Sequence, residues 1–533
     1  MDRRDFIKAA SASCCGAIVM NSQLSKIFAN TGEKAEFEKL NAFSKLGKND
    51  LKKFADIVIE TGKSNGSTYS DIRVCRNRNQ FVSTREQKVT GISEGNDIGF
   101  GVRVLINGTW GFAASAFLSE DEVRRVTLQA CTIAKANSLL QKIPVTLTKE
   151  EPFTGKWSTP IKTNPFDIST EEKLARQFSN NKLAVSLGAS FADSWMWFVN
   201  EWKFYANSDG SIIEQDLYRL NSQTTVTIID KEKGGYESRD TFTVPIGKGY
   251  EYINDFPWDK DIEEAIEHTK MKMAAPSVSP GKRNIILHPT NLWLVIHESC
   301  GHPTELDRAL GYEANYAGTS FMTPDKLNKL KYGSDLVNLI GDRTQTDGLA
   351  TRGYDDDGVK TVEFPIIKDG TFVNYQTTRE QASYVGQDKS FACAYGDSWK
   401  HFPIQRMPNV SLQPGTSKMS FDDLIASTDD AIYIKGDNSW SIDQQRYNFQ
   451  FTGQEFWEVK NGKIVGMLND VAYQGNTVSL WNSLDALCDS SEYMLAGSFN
   501  CGKGEPGQVS PVSHGSVPAR FRDVNILNTK QQT

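Results

Sequence analysis

One stretch decides how this chain is interpreted, and it reads LWLVIHESCGHP over residues 292–303. Its apolar first half predicts a buried helix, which delivers two histidines and a glutamate before a proline ends it. His297 and His302 are five residues apart, whereas the common H-E-x-x-H arrangement places its histidines four apart on one helix face. On a regular helix, five steps rotate a side chain by about 140°, which is too far for both rings to reach one metal ion.

Gly301, between the two histidines, could allow the helix end to distort so that both rings reach one metal ion. A glycine permits a loosened, π-like last turn or a break in the helix, and either would bring His302 back towards His297. Glu298, next to the first histidine, would then be placed to act as a general base. The local pattern leaves a second interpretation open, in which the two histidines are ordinary capping or core residues.

Composition narrows the class of protein. The chain has 533 residues, of which 39% are hydrophobic and 23% charged, as in ordinary globular proteins of two or three domains. The formal net charge of -7 argues against a nucleic-acid binder, which would normally show a basic face. Cysteines beyond residue 30 are scattered without a C-x-x-C pair, so they indicate neither a zinc ribbon nor a disulfide framework.

The first thirty residues form a separate segment. Arg3 and Arg4 are followed by Phe6, Ile7 and a weakly apolar run at residues 9–20, which is too short to span a bilayer as a helix. This pattern resembles the twin-arginine export signal. We therefore predict a signal segment at residues 1–30, export to the periplasm and no transmembrane span in the mature chain. The alternative is an ordinary basic N-terminus.

The rest of the chain divides at residues 271–281, which are rich in proline, serine and glycine. Before this connection, the patterns predict a helix at residues 46–61, a strand at 69–74 and a hairpin around Asn107-Gly108. A capped helix is expected to begin after Ser119. Beyond the connection, short apolar runs separated by turn residues indicate a strand-rich half. We predict domains at residues 36–275 and 282–533.

Several motifs resemble one known family. The pattern His297-Glu298-x-x-Gly301-His302 resembles the H-E-x-x-G-H signature of the TldD subunit in the TldD/PmbA (TldD/TldE) family of metalloproteases. Four other segments of this chain are similar to the same family: the hairpin at residues 101–112, the acidic stretch 355–358, the R-M-P-N stretch 406–409 and the C-G-K stretch 501–503. The resemblance covers most of the mature chain and favours the catalytic, TldD-type subunit.

The resemblance implies one zinc ion per chain, held by His297, His302 and Cys501, with Glu298 as the catalytic base. Two imidazoles and a thiolate leave one coordination position open, as a catalytic zinc site requires. The resemblance also implies an α+β fold, in which an N-terminal α/β domain precedes a β-rich C-terminal domain that carries the metal-site helix.

The same resemblance implies a zinc metallopeptidase that acts on peptides or unfolded protein segments bound in an extended form. It further implies a homodimer, or a heterodimer with a PmbA-like subunit. Two alternatives stay open at this point. One is a non-catalytic peptide-binding or scaffold subunit, and the other is a zinc hydrolase that acts on a non-peptide amide.

Other residues of possible chemical interest receive simpler interpretations. Cys300 lies inside the motif but is predicted to be a buried thiol rather than a ligand. His401 either lines the cleft or packs internally. The remaining histidines are predicted to be structural, namely His268, His288 and His514. Residues 355–357 lack EF-hand spacing, so we expect a solvated turn rather than a calcium site.

Overall fold

The computed structural model describes residues 43–232, 234–504 and 506–530. The predicted signal segment, residues 1–30, lies outside the described residues. Within the described ranges, no helix is both long enough and apolar enough to cross a membrane.

The first half of the chain builds one large sheet. Its strands are β1 (Tyr69–Arg85), β2 (Lys88–Ile106), β3 (Thr109–Ser115), β4 (Thr154–Ser158), β5 (Phe191–Asn207), β6 (Ile212–Ile229) and β7 (Tyr236–Asp240). They run in the order β3-β2-β1-β5-β6-β4, with β7 also on β6. All pairs are antiparallel except β4 with β6. Asn107 and Gly108, both with positive φ, form the tight turn between β2 and β3, so the predicted hairpin is confirmed.

Helices pack on this sheet. They are α1 (Lys48–Ser64), α2 (Glu120–Asn137), α3 (Thr170–Ser186), α4 (Glu251–Asp255) and α5 (Trp258–Ala274). The hydroxyl of Ser119 accepts a hydrogen bond from the amide of Glu122, as expected for a helix N-cap. One apolar core lies under α1 and α2 around Val102, and another lies under α3 and α5 around Phe198.

The second half is rich in strands. In chain order they are β8 (Gly281–Leu287), β9 (Leu339–Asp342), β10 (Glu363–Lys368), β11 (Thr371–Phe372), β12 (Ala394–Tyr395), β13 (Ile404–Gln405), β14 (Asn409–Leu412), β15 (Asp430–Ile442), β16 (Asn448–Lys460), β17 (Lys463–Met467), β18 (Val471–Asn476), β19 (Leu484–Leu487), β20 (Met494–Lys503), β21 (Gln508–Ser516) and β22 (Ala519–Asn528). Strands β15, β8, β22, β18 and β16 follow one another in a sheet, and the pairing of β15 with β16 closes it into a barrel.

Short helices connect these strands. They are α6 (Pro289–Ile296), α7 (Leu306–Ala309), α8 (Phe421–Ala426) and α9 (Thr477–Asn482). Strand β8 leads directly into α6, where Nδ1 of His288 accepts from the Thr290 amide at 3.2 Å and caps the helix. Every residue of α6 is buried, and the helix packs against β15, β20 and β21. The barrel and the β20–β21 hairpin therefore hold the histidine motif between them.

The predicted α+β fold is confirmed, since helices cover the first sheet and strands dominate the second half. Helix α5 ends at Ala274 and β8 begins at Gly281, so an irregular connection separates the two halves. The domain limits at residues 36, 275 and 282 stay predictions.

The interpretation of residues 355–357 as a solvated turn is wrong. All three aspartates are buried where the first sheet meets the second half of the chain. Nη2 of Arg103 lies 2.9 Å from a carboxylate oxygen of Asp357, and Nζ of Lys203 lies 2.8 Å from one of Asp356. Strands β2 and β5 supply these cations from far away in sequence, so the local pattern could not reveal the pairing.

Candidate metal centre

Helix α6 ends in a π-helical turn, His297–Gly301, and a 3₁₀ turn, His302–Thr304, follows. The amide of His302 donates to the carbonyl of His297, which is the i→i+5 hydrogen bond that defines a π turn. This widened turn places residues five apart above one another, so the two ring centroids are 4.6 Å apart. The predicted distortion of the helix end is confirmed.

The irregular turn leaves carbonyl groups that need new hydrogen-bond partners. The hydroxyl of Tyr332 donates to the carbonyl of Ser299 at 3.0 Å, and Nε2 of Gln376 donates to the carbonyl of Gly301 at 2.6 Å. Because a buried group without a partner costs about 1–3 kcal/mol, these contacts stabilise the π turn.

Cys501 reaches the same place from the β20–β21 hairpin. One ligand atom each of His297, His302 and Cys501 lies within 4.8 Å of the other two, and all three side chains are buried. Sγ of Cys501 is 3.6 Å from Nε2 of His302. Cys300 is also buried, but it is not part of this cluster. The structure thus brings the three predicted ligands together and leaves Cys300 out.

Hydrogen bonds orient the His297 ring. Nδ1 of His514 lies 2.7 Å from the carbonyl of Val410 and must carry a proton to bond it. In neutral His514, Nε2 is then an acceptor, and Nδ1 of His297 donates to it at 2.8 Å. The Nε2 atom of His297 is therefore left with a free lone pair, as a metal ligand requires.

The His302 ring is oriented by a carboxylate. Its Nδ1 donates to Oε2 of Glu305 at 2.8 Å, an arrangement that fixes the ring and raises the basicity of its Nε2. Nζ of Lys503 lies 3.1 Å from the other oxygen of Glu305 and 2.7 Å from Asp307. Lys503 belongs to the C-G-K stretch, so the strand that carries Cys501 also supports His302.

Burial and local charge set the protonation of the ligands. Burial lowers the pKa of His297 and lowers that of His302 well below its usual range, which keeps both rings neutral. Burial alone would raise the pKa of the Cys501 thiol, but the nearby guanidinium of Arg406 favours the thiolate and lowers that pKa below its usual range. Two neutral imidazoles and a thiolate are the donor set that suits zinc.

The R-M-P-N stretch joins the hairpin to the π turn. Arg406 donates to the carbonyl of Cys501 and, at 3.1 Å, to that of Gln508. The sulfur of Met407 would lie 2.5 Å from a Cβ placed on Gly301. Gly301 therefore permits this close packing, whereas its backbone, with φ -53° and ψ -64°, is one that other residues also adopt.

We expect Gly301→Ala to lower the free energy of unfolding by about 1 kcal/mol, because the end of the buried Met407 side chain must shift to make room. Denaturant unfolding would measure the change. Gly466→Ala is a suitable control, since no atom lies within 4 Å of a Cβ at that position. Equal stability of the two variants would contradict this account of Gly301.

Glu298 lies on the π turn beside His297. Its side chain is buried, and one carboxylate oxygen forms an ion pair with Nη1 of Arg446, in the turn between β15 and β16. The predicted base thus neighbours His297 in the chain and pairs with a cation that the sequence did not reveal.

Other histidines are placed as follows. His514, predicted to be structural, contacts His297 directly and orients it, so sequence reasoning missed its role in the centre. Nδ1 of His268 lies 2.8 Å from Glu455, outside the centre. Nδ1 of His401 lies 2.6 Å from Asp397, and this residue too is outside the ligand cluster.

Comparison with known proteins agrees with these motifs. The family description "PmbA/TldA metallopeptidase C-terminal domain" matches residues 280–526, and "PmbA/TldA metallopeptidase domain 1" matches residues 70–134. The chain belongs to the PmbA/TldD family. The C-terminal match includes the histidine motif, the R-M-P-N stretch and Cys501, which the structure brings together.

Relatives in the PmbA/TldD family span nearly the same length. A metalloprotease of Methanocaldococcus jannaschii is 27% identical over 453 residues, which cover 84% of this chain and 94% of the relative. A protein of Saccharolobus solfataricus, named zinc metalloprotease TldD homolog, is 24% identical over 483 residues, which cover 88% of this chain and 98% of the relative. The crystal structure of TldE from Thermococcus kodakarensis has the same fold, with a TM-score of 0.67 and 16% identity. The match covers 89% of this chain and 99% of TldE.

Proposed function

We propose that this chain is a zinc-dependent metallopeptidase of the TldD type, with His297, His302 and Cys501 as zinc ligands and Glu298 as general base. One observation carries the proposal: a buried His-His-Cys cluster whose two rings are each fixed through Nδ1, so that both Nε2 atoms are free to bind. The relatives named metalloproteases, one of them a zinc metalloprotease, support the same reading.

In this mechanism, bound zinc supplies a Lewis acid that polarises the scissile carbonyl and makes water more acidic. The carboxylate of Glu298 takes a proton from the attacking water and later gives it to the leaving amine nitrogen. His514 and Glu305 keep the two ligand rings oriented throughout. Burial of the cluster excludes bulk water and strengthens these electrostatic interactions.

The substrates proposed are peptides or unfolded protein segments. Among the described strands, β20 and β21 pair only with each other. Strand β21 packs against β14, where Asn409 and Ser411 accept hydrogen bonds from the amides of Ser513 and Gly515, so the edge without a partner is that of β20. A free edge can bind an extended chain through backbone hydrogen bonds with little regard to its sequence. This arrangement would favour unfolded segments over folded proteins.

The assembly and location belong to the same proposal. The shared fold with TldE supports a homodimer or a complex with a PmbA-like partner. Export through the twin-arginine pathway rests on the Arg3-Arg4 pattern alone.

Metal content tests the proposal without any need for a substrate or a partner. Wild-type protein purified without added metal is expected to contain about one zinc per chain. Loss of a residue that only supports a ligand typically weakens metal binding by about 10- to 100-fold. Because Cys501→Ser removes a direct ligand, we expect it to weaken zinc binding by about 100-fold or more. Elemental analysis and competition with a chelator would measure both.

Cys300→Ser is the matched control, since it removes a buried thiol from the same motif but outside the cluster. Its zinc affinity should equal that of the wild type. A wild-type protein that stays without zinc even when the metal is offered would overturn the proposed mechanism.

A further inference from the structure

Arg446 occupies an unusual backbone position beside the metal centre. It lies in the turn between β15 and β16 with φ 65°, in the left-handed region that non-glycine residues rarely adopt. The carboxylate of Asp443 holds this turn by accepting hydrogen bonds from the amides of Tyr447 and Asn448 at 2.8 and 3.0 Å. Other non-glycine turn residues, such as Asn107 and Asn461, also have positive φ, so this conformation defines the shape of the turn that presents the Arg446 side chain.

The guanidinium of Arg446 is poorly satisfied for a side chain that is only 16% exposed. Nη1 pairs with Glu298, and Nε is buried without a hydrogen-bond partner. Nearby Arg308, by contrast, uses Nε, Nη1 and Nη2 in contacts with Thr319, Glu313 and neighbouring carbonyls. Other buried arginines, such as Arg73 and Arg352, also have a nitrogen without a partner. Arg446 differs from them in that its guanidinium contacts Glu298, so an unused donor lies beside the proposed base.

The turn that presents Arg446 is fixed on its other side as well. The carbonyls of Gln444 and Gln445 accept hydrogen bonds from the amides of Thr319 and Phe321 at 3.1 and 3.0 Å. Nη2 of Arg308 also donates to the carbonyl of Gln444. These hydrogen bonds fix the backbone of the turn that holds the guanidinium next to Glu298.

We propose that Arg446 donates a hydrogen bond to the oxygen of the scissile carbonyl as that oxygen becomes negative, a role that rests on the peptidase activity proposed above. When the water oxygen bonds to the carbonyl carbon, Glu298 takes the water's proton and the C=O electron pair moves onto the oxygen. The guanidinium stabilises that charge without losing its own proton. When the C–N bond breaks, the electron pair re-forms C=O, and the proton on Glu298 passes to the departing nitrogen.

Arg446→Gly is the most informative variant, because glycine adopts the observed φ without strain and should preserve the turn. We expect kcat for an internally quenched peptide, selected from a library with the wild type, to fall by about 10²- to 10³-fold, the usual effect of losing one oxyanion donor. KM should change only a few-fold, and zinc content should equal that of the wild type. Gln445→Ala, an exposed neighbour in the same turn, is the control and should match the wild type.

Guanidinium rescue distinguishes loss of the guanidinium group from damage to the turn that carries it. Adding millimolar guanidinium chloride to Arg446→Gly should restore part of kcat, whereas the wild type and Gln445→Ala should not be activated. Arg446→Lys keeps the positive charge but lacks the planar guanidinium with its several N–H donors. Its kcat should lie between those of the wild type and Arg446→Gly.

Three results would overturn the inference. They are a wild-type kcat in Arg446→Gly, a loss of zinc in that variant, or a defect in KM alone that disappears with C-terminally amidated peptides. The last result would assign Arg446 to binding of a substrate carboxylate. A wild-type protein that holds zinc but cleaves no peptide would instead overturn the proposed function, and this inference with it.

Discussion

Replacing Glu298 with glutamine is expected to lower kcat for peptide hydrolysis by about 10²- to 10⁴-fold, the range that a positioned general base contributes. Glutamine has nearly the same size and can still accept a hydrogen bond from Arg446 through its amide oxygen. It cannot take a proton from water at neutral pH. Zinc content should therefore stay at the wild-type level, because His297, His302 and Cys501 are unchanged.

The measurement is peptide cleavage by mass spectrometry, together with zinc analysis of the same samples. Glu363→Gln changes an exposed glutamate on β10 and should leave both quantities unchanged. If Glu298→Gln kept full biological activity, the peptidase mechanism would be contradicted. The non-catalytic peptide-binding or scaffold subunit would then be the better interpretation.

Removing Arg103 is expected to lower the free energy of unfolding by about 3–5 kcal/mol, because it leaves buried carboxylates without their cation. Nη2 of Arg103 lies 2.6 Å from Asp71 and 2.9 Å from Asp357, and these side chains are nearly inaccessible to solvent. The guanidinium also lies over the rings of Trp110 and Phe402. Arg103→Ala would thus weaken the contact between the first sheet and the second half of the chain.

Burial raises the pKa of Asp71 above its usual range, and Arg103 opposes that rise. In Arg103→Ala the pKa should rise further, so the folded state should take up a proton that the unfolded state releases above pH about 4. The loss of stability should therefore be larger at pH 8 than at pH 5.

Denaturant unfolding at both pH values would measure this effect. Arg78→Ala is the control, because Arg78 forms a partly exposed pair with Glu94 on the neighbouring strand. We expect that control to cost about 1 kcal/mol or less. Equal losses for Arg78→Ala and Arg103→Ala would mean that the buried pairs do not hold the two halves together.

The local elements could be predicted from sequence because short-range chemistry determines them. The Asn107-Gly108 turn was predictable because both residues tolerate positive φ. The cap at Ser119 was predictable because a serine hydroxyl can accept a hydrogen bond from an amide in the first turn of a helix. The spacing of His297 and His302 predicted a π-like turn or a break if both residues bind one metal ion, and the structure has the π turn.

Cys501 was a different case. It was identified through the family resemblance, because no local pattern links it to a motif about two hundred residues earlier. The structure brings it beside His302 through the packing of α6 against β20 and β21. Its candidate role as a ligand therefore depends on both kinds of information.

The sequence by itself determined the hairpin turn and the helix cap, and it predicted an irregular helix end around the two histidines and their glutamate, because all of these depend on residues close together in the chain. Only the tertiary structure decided which groups pair over long distances in the chain. His514 accepts a hydrogen bond from His297, Arg446 forms an ion pair with Glu298, and Arg103 pairs with both Asp71 and Asp357. The physical reason is that a buried charge or ring nitrogen takes whichever partner the fold brings within hydrogen-bond distance. Such long-range pairings produce no local pattern in the sequence from which they could be predicted.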